Sequence, residues 1–215
     1  MHITILCNDD KHPVNEYILK WMDRAHPSLS VELVRRKKDA QGGHILFLVS
    51  CSEVVTKRER ARYGACLVLH ASDLPEGRGW SPHIWQLSQG AEYLTLSLLE
   101  AEDTLDSGAI WKKTRIDIPK HSLWDEINDL LFKAEIDLID FAIDNFGIVE
   151  PKNQIDTSQS QPLRKRTPSD SEIDPSKTIS EQFDLIRVCD PNRFPAYFHH
   201  LGQRYKIKLE KIDDQ

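Results

Sequence analysis

No run of 18 or more apolar residues occurs in the 215-residue chain, so no membrane-spanning helix is expected. The first apolar run is followed by CNDDKHP and not by a G-x-G-x-x-G turn. Without that glycine cradle for a pyrophosphate, NAD or FAD binding is not expected. Cys7, Cys51, Cys66 and Cys189 include no C-x-x-C pair, and three of them lie in strand-like apolar runs. They read as reduced core residues. The opening MHITILCNDD has no basic flank of the kind a secretory signal carries, and a cytoplasmic location is expected. An excess of positive charge is also missing. The net charge is −6, which argues against a nucleic-acid surface spread over the whole molecule. Residues 1–150 hold 17 Lys/Arg against 24 Asp/Glu, whereas residues 151–215 hold 11 against 10. No internal repeat is visible.

With 40% hydrophobic and 29% charged residues, the chain can bury one substantial core plus a small appendage. Apolar patterning predicts strands at residues 2–7, 31–35, 45–51, 66–71, 93–99 and 110–118. Helices are predicted at residues 14–25, 57–63, 82–89 and 123–145. ILFLVSC and ACLVLHA are continuous apolar runs, as central strands covered on both faces should be. The alternation predicts an α/β fold, a Rossmann-like, mainly parallel sheet with flanking helices. Ligands in such sheets sit outside the carboxyl ends of the strands. The expected division is a catalytic domain at 1–149, an extended connector at 150–177, and a C-terminal helix and β-hairpin at 178–215. The last helix should start at Thr178 with a capping box to Glu181, and the hairpin should turn around Leu201-Gly202-Gln203.

The stretch LHASDLPEGRGWSPHIWQL ends a predicted strand in His70. A lone histidine there is as often structural as catalytic, so its neighbours decide. Asp73-Leu74-Pro75 is a sharp polar exit, Gly77 and Gly79 permit close backbone approach, and Ser81-Pro82 reads as the start of a helix. Asp106-Ser107-Gly108 follows a later strand. Asp106 read alone is a turn residue before a glycine; placed beside His70, its carboxylate would orient the imidazole and raise its basicity. Trp80 and Trp85 either pack at a helix start or stack on a ligand. His199 and His200 are neighbours in a predicted strand and point to opposite faces, so they are not expected to share a metal.

These segments resemble the formyltransferases that use a formylated tetrahydrofolate. The pattern of a strand ending in histidine, a serine two residues on, Leu-Pro, Arg-Gly, and a small residue before proline is matched by His70, Ser72, Leu74-Pro75, Arg78-Gly79 and Ser81-Pro82. The family's Asp-x-Gly is matched by Asp106-Ser107-Gly108. In one respect the chain departs from the pattern. The family carries an asparagine two residues before the histidine, and here that position is Val68. Asn8 or the backbone of the Ser72–Gly79 loop is the expected replacement for its amide; the alternative is a catalytically silent relative.

The resemblance implies a formyl transfer from 10-formyltetrahydrofolate to an amine, with His70 and Asp106 at the reacting centre. It implies that the pterin lies among Ser50, Cys51, Ser52, Asp73, Leu74, Pro75, Glu102 and Asp103. RKRTPSDSEID resembles the connector of the nucleotide-sugar branch, which implies an amino-deoxysugar acceptor and a substrate set of Asn8, Asp9, Arg78, Gly79, Trp80, Arg164, Arg166 and Arg187. Neither nucleic acid nor membrane is expected as a partner, and a homodimer is. The methionyl-tRNA branch is the alternative; the near-neutral tail argues against it, because phosphate-backbone binding needs several clustered cations.

Overall fold

The runs HITIL, SVELV, GHILFL and YGACLVLH form β1 (His2–Leu6), β2 (Ser30–Val34), β3 (Gly43–Leu48) and β4 (Tyr63–His70) in a computed structural model that describes residues 1–155 and 161–212. With β5 (Tyr93–Glu100) and β6 (Ile110–Asp117) they make one six-stranded sheet in the order β2-β1-β3-β4-β5-β6. β1 to β4 are parallel, and β5 runs against both of its neighbours. The expected Rossmann-like, mainly parallel sheet is present. α1 (Val14–Arg24) and the short α2 (Lys57–Arg60) lie in its parallel crossovers, α3 (Pro82–Ser88) links β4 to β5, and α4 (Trp124–Asp144) follows β6. α2 ends earlier than its sequence suggests because Tyr63 already pairs with Gly43.

Strand alternation divides the core unequally. Ile3, Ile5, Phe47, Leu67 and Leu69 meet Ile18, Trp21, Leu87, Ile127 and Leu131 from α1, α3 and α4. Full burial of each large aliphatic side chain contributes about 1.5–3 kcal/mol. Leu6, Leu46, Leu48 and Cys66 point to the other face and pack with Val34, Val55 and Tyr63. Loops and α2 cover that face in place of long helices, which leaves room for a site.

The antiparallel course of β5 decides how that site is assembled. Glu100 pairs with Leu67, while His70 pairs with Ser97. β5 therefore ends well below the carboxyl end of β4, and the following loop must fold back across the sheet face to approach His70. This corrects the expectation that both motif segments simply leave carboxyl ends on one edge.

The described residues after Glu150 are tied to the body. Lys152 pairs with Ile110 and Leu163 with Gly79; Val188 joins the main core. α5 (Ile179–Arg187) starts with the Thr178–Glu181 capping box. β7 (Ala196–His200) and β8 (Gln203–Ile207) form the hairpin, and Leu201 and Gly202 at its turn both have positive φ. Ile173, Ile186, Cys189 and Ala196 form a small core beneath it. Residues 156–160 of the connector and 213–215 of the C-terminal unit lie outside the described residues. No described helix is long and apolar enough to cross a membrane.

Candidate active site

His70 and Val68 lie on the sheet face opposite Leu67 and Leu69, because side chains alternate along β4. His70 Nε2 is 2.9 Å from the Gly77 carbonyl oxygen. A carbonyl only accepts, so Nε2 carries the proton. In the neutral ring the lone pair is then on Nδ1, which stands 3.7 Å from Asp106 Oδ2. The two side chains are only 8% and 6% exposed. The returning loop therefore forms the histidine–carboxylate pair that the motifs suggest.

Asp106 is held from several directions. Its backbone is left-handed, with φ of 53°, and its Oδ2 accepts the Gly79 N–H at 2.9 Å. Gln154 donates from Nε2 to the carbonyls of Asp106 and Gly108 at 2.9 and 2.8 Å, and Arg78 donates to Gln154 Oε1 at 3.4 Å. Gly108 has no alternative, since a Cβ there would stand 1.9 Å from the Glu100 carbonyl oxygen. Gly79 is constrained in the same way: the Arg78 carbonyl accepts from Leu163 N and Trp80 N donates to Leu163 O, leaving 2.4 Å for a Cβ at a φ of 103°. The Arg-Gly motif thus pairs with the connector. Gln154 and Leu163 are contributors that the sequence reading missed; both act over long sequence separation and carry no local signal.

Two more histidines converge on the pair. His12 Nε2 is 3.3 Å from Ser50 Oγ, and burial, reinforced by the Arg193 cation, lowers its pKa to about 4. His83, in the first turn of α3, is lowered to about 4 by burial and then by the charges of His12, His70 and Arg166. Neither was picked out from sequence. The SPHIW helix start was the available signal for His83, with Pro82 at its first position. Ser81 precedes it in a left-handed conformation without capping through its side chain, contrary to the expected cap.

The expected folate residues occupy three loops. Ser50 has a left-handed backbone, Ser52 N donates to Asn8 Oδ1, and burial pushes the Cys51 thiol up to about 11. Leu74 is fully buried before a cis bond to Pro75, and Lys113 pairs with Asp73 at 2.5 Å. Glu102 and Asp103 face Arg60. All four cysteines are free thiols, and burial raises Cys66 to about 12.

The expected substrate residues are less available. Asn8 spends both amide hydrogens on the Arg35 carbonyl and Glu53 Oε1, at 2.9 and 3.0 Å, which corrects its assignment as replacement for the missing asparagine. Asp9 pairs with Arg193 from the tail. Trp80 remains partly exposed, with the Lys165 ammonium 5.0 Å from its ring centroid. Arg164 forks onto the Asp170 carboxylate, holding the pKa of that group far below the usual carboxylate range, and it also covers Trp85. Arg166 bonds the Asp170 carbonyl and Ser171. Arg187 is 1% exposed and bonds Asp184 and the Ser122 carbonyl. Arg164 and Arg166 are hydrogen-bonded within the tail, whereas buried Arg187 ties α5 to Ser122 of the body and is closed to any ligand in this conformation.

No family model matches the chain. It is similar to the methionyl-tRNA formyltransferase of Clostridium acetobutylicum, 29% identical over 191 residues, covering 86% of this chain and 59% of that protein. It is 31% identical over 152 residues to that of Nitrosomonas europaea, covering 69% of this chain and 45% of the relative. The chain therefore spans about half the length of these relatives. Among solved structures, methionyl-tRNA formyltransferase from Clostridium thermocellum superimposes with a TM-score of 0.82 at 20% identity, covering 99% of this chain and 94% of the other. A sugar N-formyltransferase from a Shewanella species gives 0.70 at 16%, covering 100% and 99%. HypX from Aquifex aeolicus in complex with tetrahydrofolic acid gives 0.71 at 17%, covering 94% and 36%. The chain shares the formyltransferase fold.

Proposed function

We propose that the chain is a folate-dependent N-formyltransferase whose reacting centre is His70 with Asp106. The observation that carries this reading is the proton arrangement: Gly77 holds the proton on Nε2 and leaves Nδ1 as a base beside a buried carboxylate. His70 takes the proton that an attacking amine must lose, and Asp106 stabilises the resulting imidazolium. Val68, which packs among apolar neighbours, contributes no polar group.

Residues for the formyl donor are present. Glu102 and Asp103 have side chains 53% and 72% exposed, so their carboxylates are open to the amino edge of a pterin, and Leu105 presents apolar surface at 54% exposure. Ser50 and Asp73 belong to the loops after β3 and β4. Such loops fit a flat heterocycle with a donor edge. When bound, 10-formyltetrahydrofolate supplies the formyl group and a nitrogen leaving group.

For the acceptor we favour the amine of a nucleotide-linked amino-deoxysugar. A cleft of about 340 Å³ is lined by Gly77, whose carbonyl bonds His70, together with Asp73, Glu76, Trp85, Gln86 and Gln89. Carboxylates, amides and an indole suit hydroxyl groups. The acidic balance of residues 1–150 disfavours a long polyanion. The second reading, methionyl-tRNA, is favoured by the names of the sequence relatives. Assaying His70→Ala and Asp106→Ala separates this centre from a silent relative. Each should lower turnover at least about a hundredfold with the fold intact; wild-type rates in both would refute the assignment.

A further inference from the structure

Val68 leaves the candidate centre without a side-chain donor for the oxygen on which charge develops, and the β1–α1 loop supplies one. The Val14 backbone N–H lies 3.3 Å from His12 Nδ1. A backbone N–H can only donate, so Nδ1 is the acceptor and the proton of the neutral ring is on Nε2. That N–H points to Ser50 Oγ at 3.3 Å, longer than a good hydrogen bond to oxygen. The contact leaves the donor free to turn to a better acceptor.

The two strand ends are neighbours: β3 and β4 pair in register up to Leu48 and Val68, and Ser50 and His70 each follow two residues later. Ser50 is held in the left-handed region at a φ of 46°, backbone strain of a kind that gathers at functional sites. The half-buried His12 ring is braced edge-on against Phe132 at 5.7 Å between centroids, and Arg193 adds positive field from the tail while bonded to Asp9. His83, in the first turn of α3, feels the charges of both His12 and His70. A neutral imidazole is a competent electrophile here, because it donates without requiring a charged group to be buried.

Resting on the formyl-transfer reading, we infer that His12 Nε2–H is the oxyanion donor that replaces the asparagine missing at Val68, with Ser50 as its resting partner. Chemically, the amine nitrogen bonds to the formyl carbon while the carbonyl π pair moves to oxygen, where the His12 hydrogen bond strengthens without transferring its proton. The amine proton passes to His70 Nδ1 and from there to the departing folate nitrogen as the old carbon–nitrogen bond breaks.

The test uses the full-length protein. Ring-nitrogen NMR of the free protein should show His12 neutral at pH 7 with its proton on Nε2. Addition of 10-formyl-5,8-dideazafolate, without any amine, should move the Nε2–H signal; formyl-free 5,8-dideazafolate should not. His12→Ala should lower kcat about 10²–10³-fold with the folate KM within about threefold of its original value, and Val68→Asn in that background should restore at least about tenfold, since an amide again meets the oxygen. A proton on Nδ1, equal shifts with both folates, or kcat within threefold of wild type in His12→Ala would overturn the inference. Failure of both folates to shift any signal would refute the formyl-transfer reading itself, and this one with it.

Discussion

At the residue scale, protons are placed by backbone groups. Gly77 assigns the His70 tautomer by accepting, and Val14 assigns that of His12 by donating. The two rings are thereby given opposite tasks, one presenting a lone pair and the other an N–H. A third group, Glu135, is 7% exposed on α4, its Oε2 has no partner, and burial raises its pKa to about 8. Its folded-state pKa lies above the unfolded value of 4.5, so between these values the unfolded chain binds fewer protons. Stability should fall as pH rises through this window, by about 1.4 kcal/mol per unit. Glu135→Gln should flatten that slope in urea titrations at successive pH values and leave the protein more stable at pH 8. An unchanged slope would place the loss elsewhere. His70 was legible because it ends an apolar run, whereas Glu135 was not, because an acidic residue in a helix reads as solvent-facing until packing turns it inward.

At the scale of elements, the site depends on a strand running the wrong way for a simple edge site. β5 ends opposite Leu67, and the loop carrying Asp106 must be held over the sheet by Gln154, Gly79 and Leu163. The motifs were readable because Arg-Gly and Asp-x-Gly are local patterns with backbone causes, visible in the close contacts at Gly79 and Gly108. Their partners were not, since Gln154 lies 48 residues from Asp106. The partner of Arg164 was hidden for a different reason: the aspartate it pairs with lies inside the same stretch, and sequence does not show which way a guanidinium folds. Gly79→Ala should cost at least about 2 kcal/mol, as expected for strain at a special φ with a backbone clash, measured as a lower midpoint in denaturant. Gln154→Ala should lower kcat by about tenfold or more with little change in the folate KM, because Gln154 bonds the carbonyls of Asp106 and Gly108 and not Glu102 or Asp103. A pure KM effect would argue that Gln154 contacts a ligand instead.

At the scale of the whole molecule, the C-terminal segment completes the body. Leu163 pairs with the Arg-Gly loop, Val188 enters the main core, and Arg193 reaches Asp9 at the opposite end of the chain. The division near residue 150 is visible as a change in composition, but contacts cross it at the site itself. The body around the centre is acidic, so a compact acceptor should show a shallow dependence of KM on salt, in contrast to a partner held through many phosphates. The central claim is formyl transfer to an amine through His70. Its most direct test is mass spectrometry of acceptors incubated with 10-formyltetrahydrofolate and the wild-type protein, or with His70→Ala. The acceptors are UDP-, dTDP- and GDP-linked amino-deoxysugars and charged initiator tRNA. The account predicts the mass gain of one formyl group on a nucleotide-linked amino sugar with the wild-type protein and its loss with His70→Ala. Formylation confined to the tRNA would contradict the acceptor assignment, and absence of any formylated acceptor, or equal yields from both proteins, would contradict the claim.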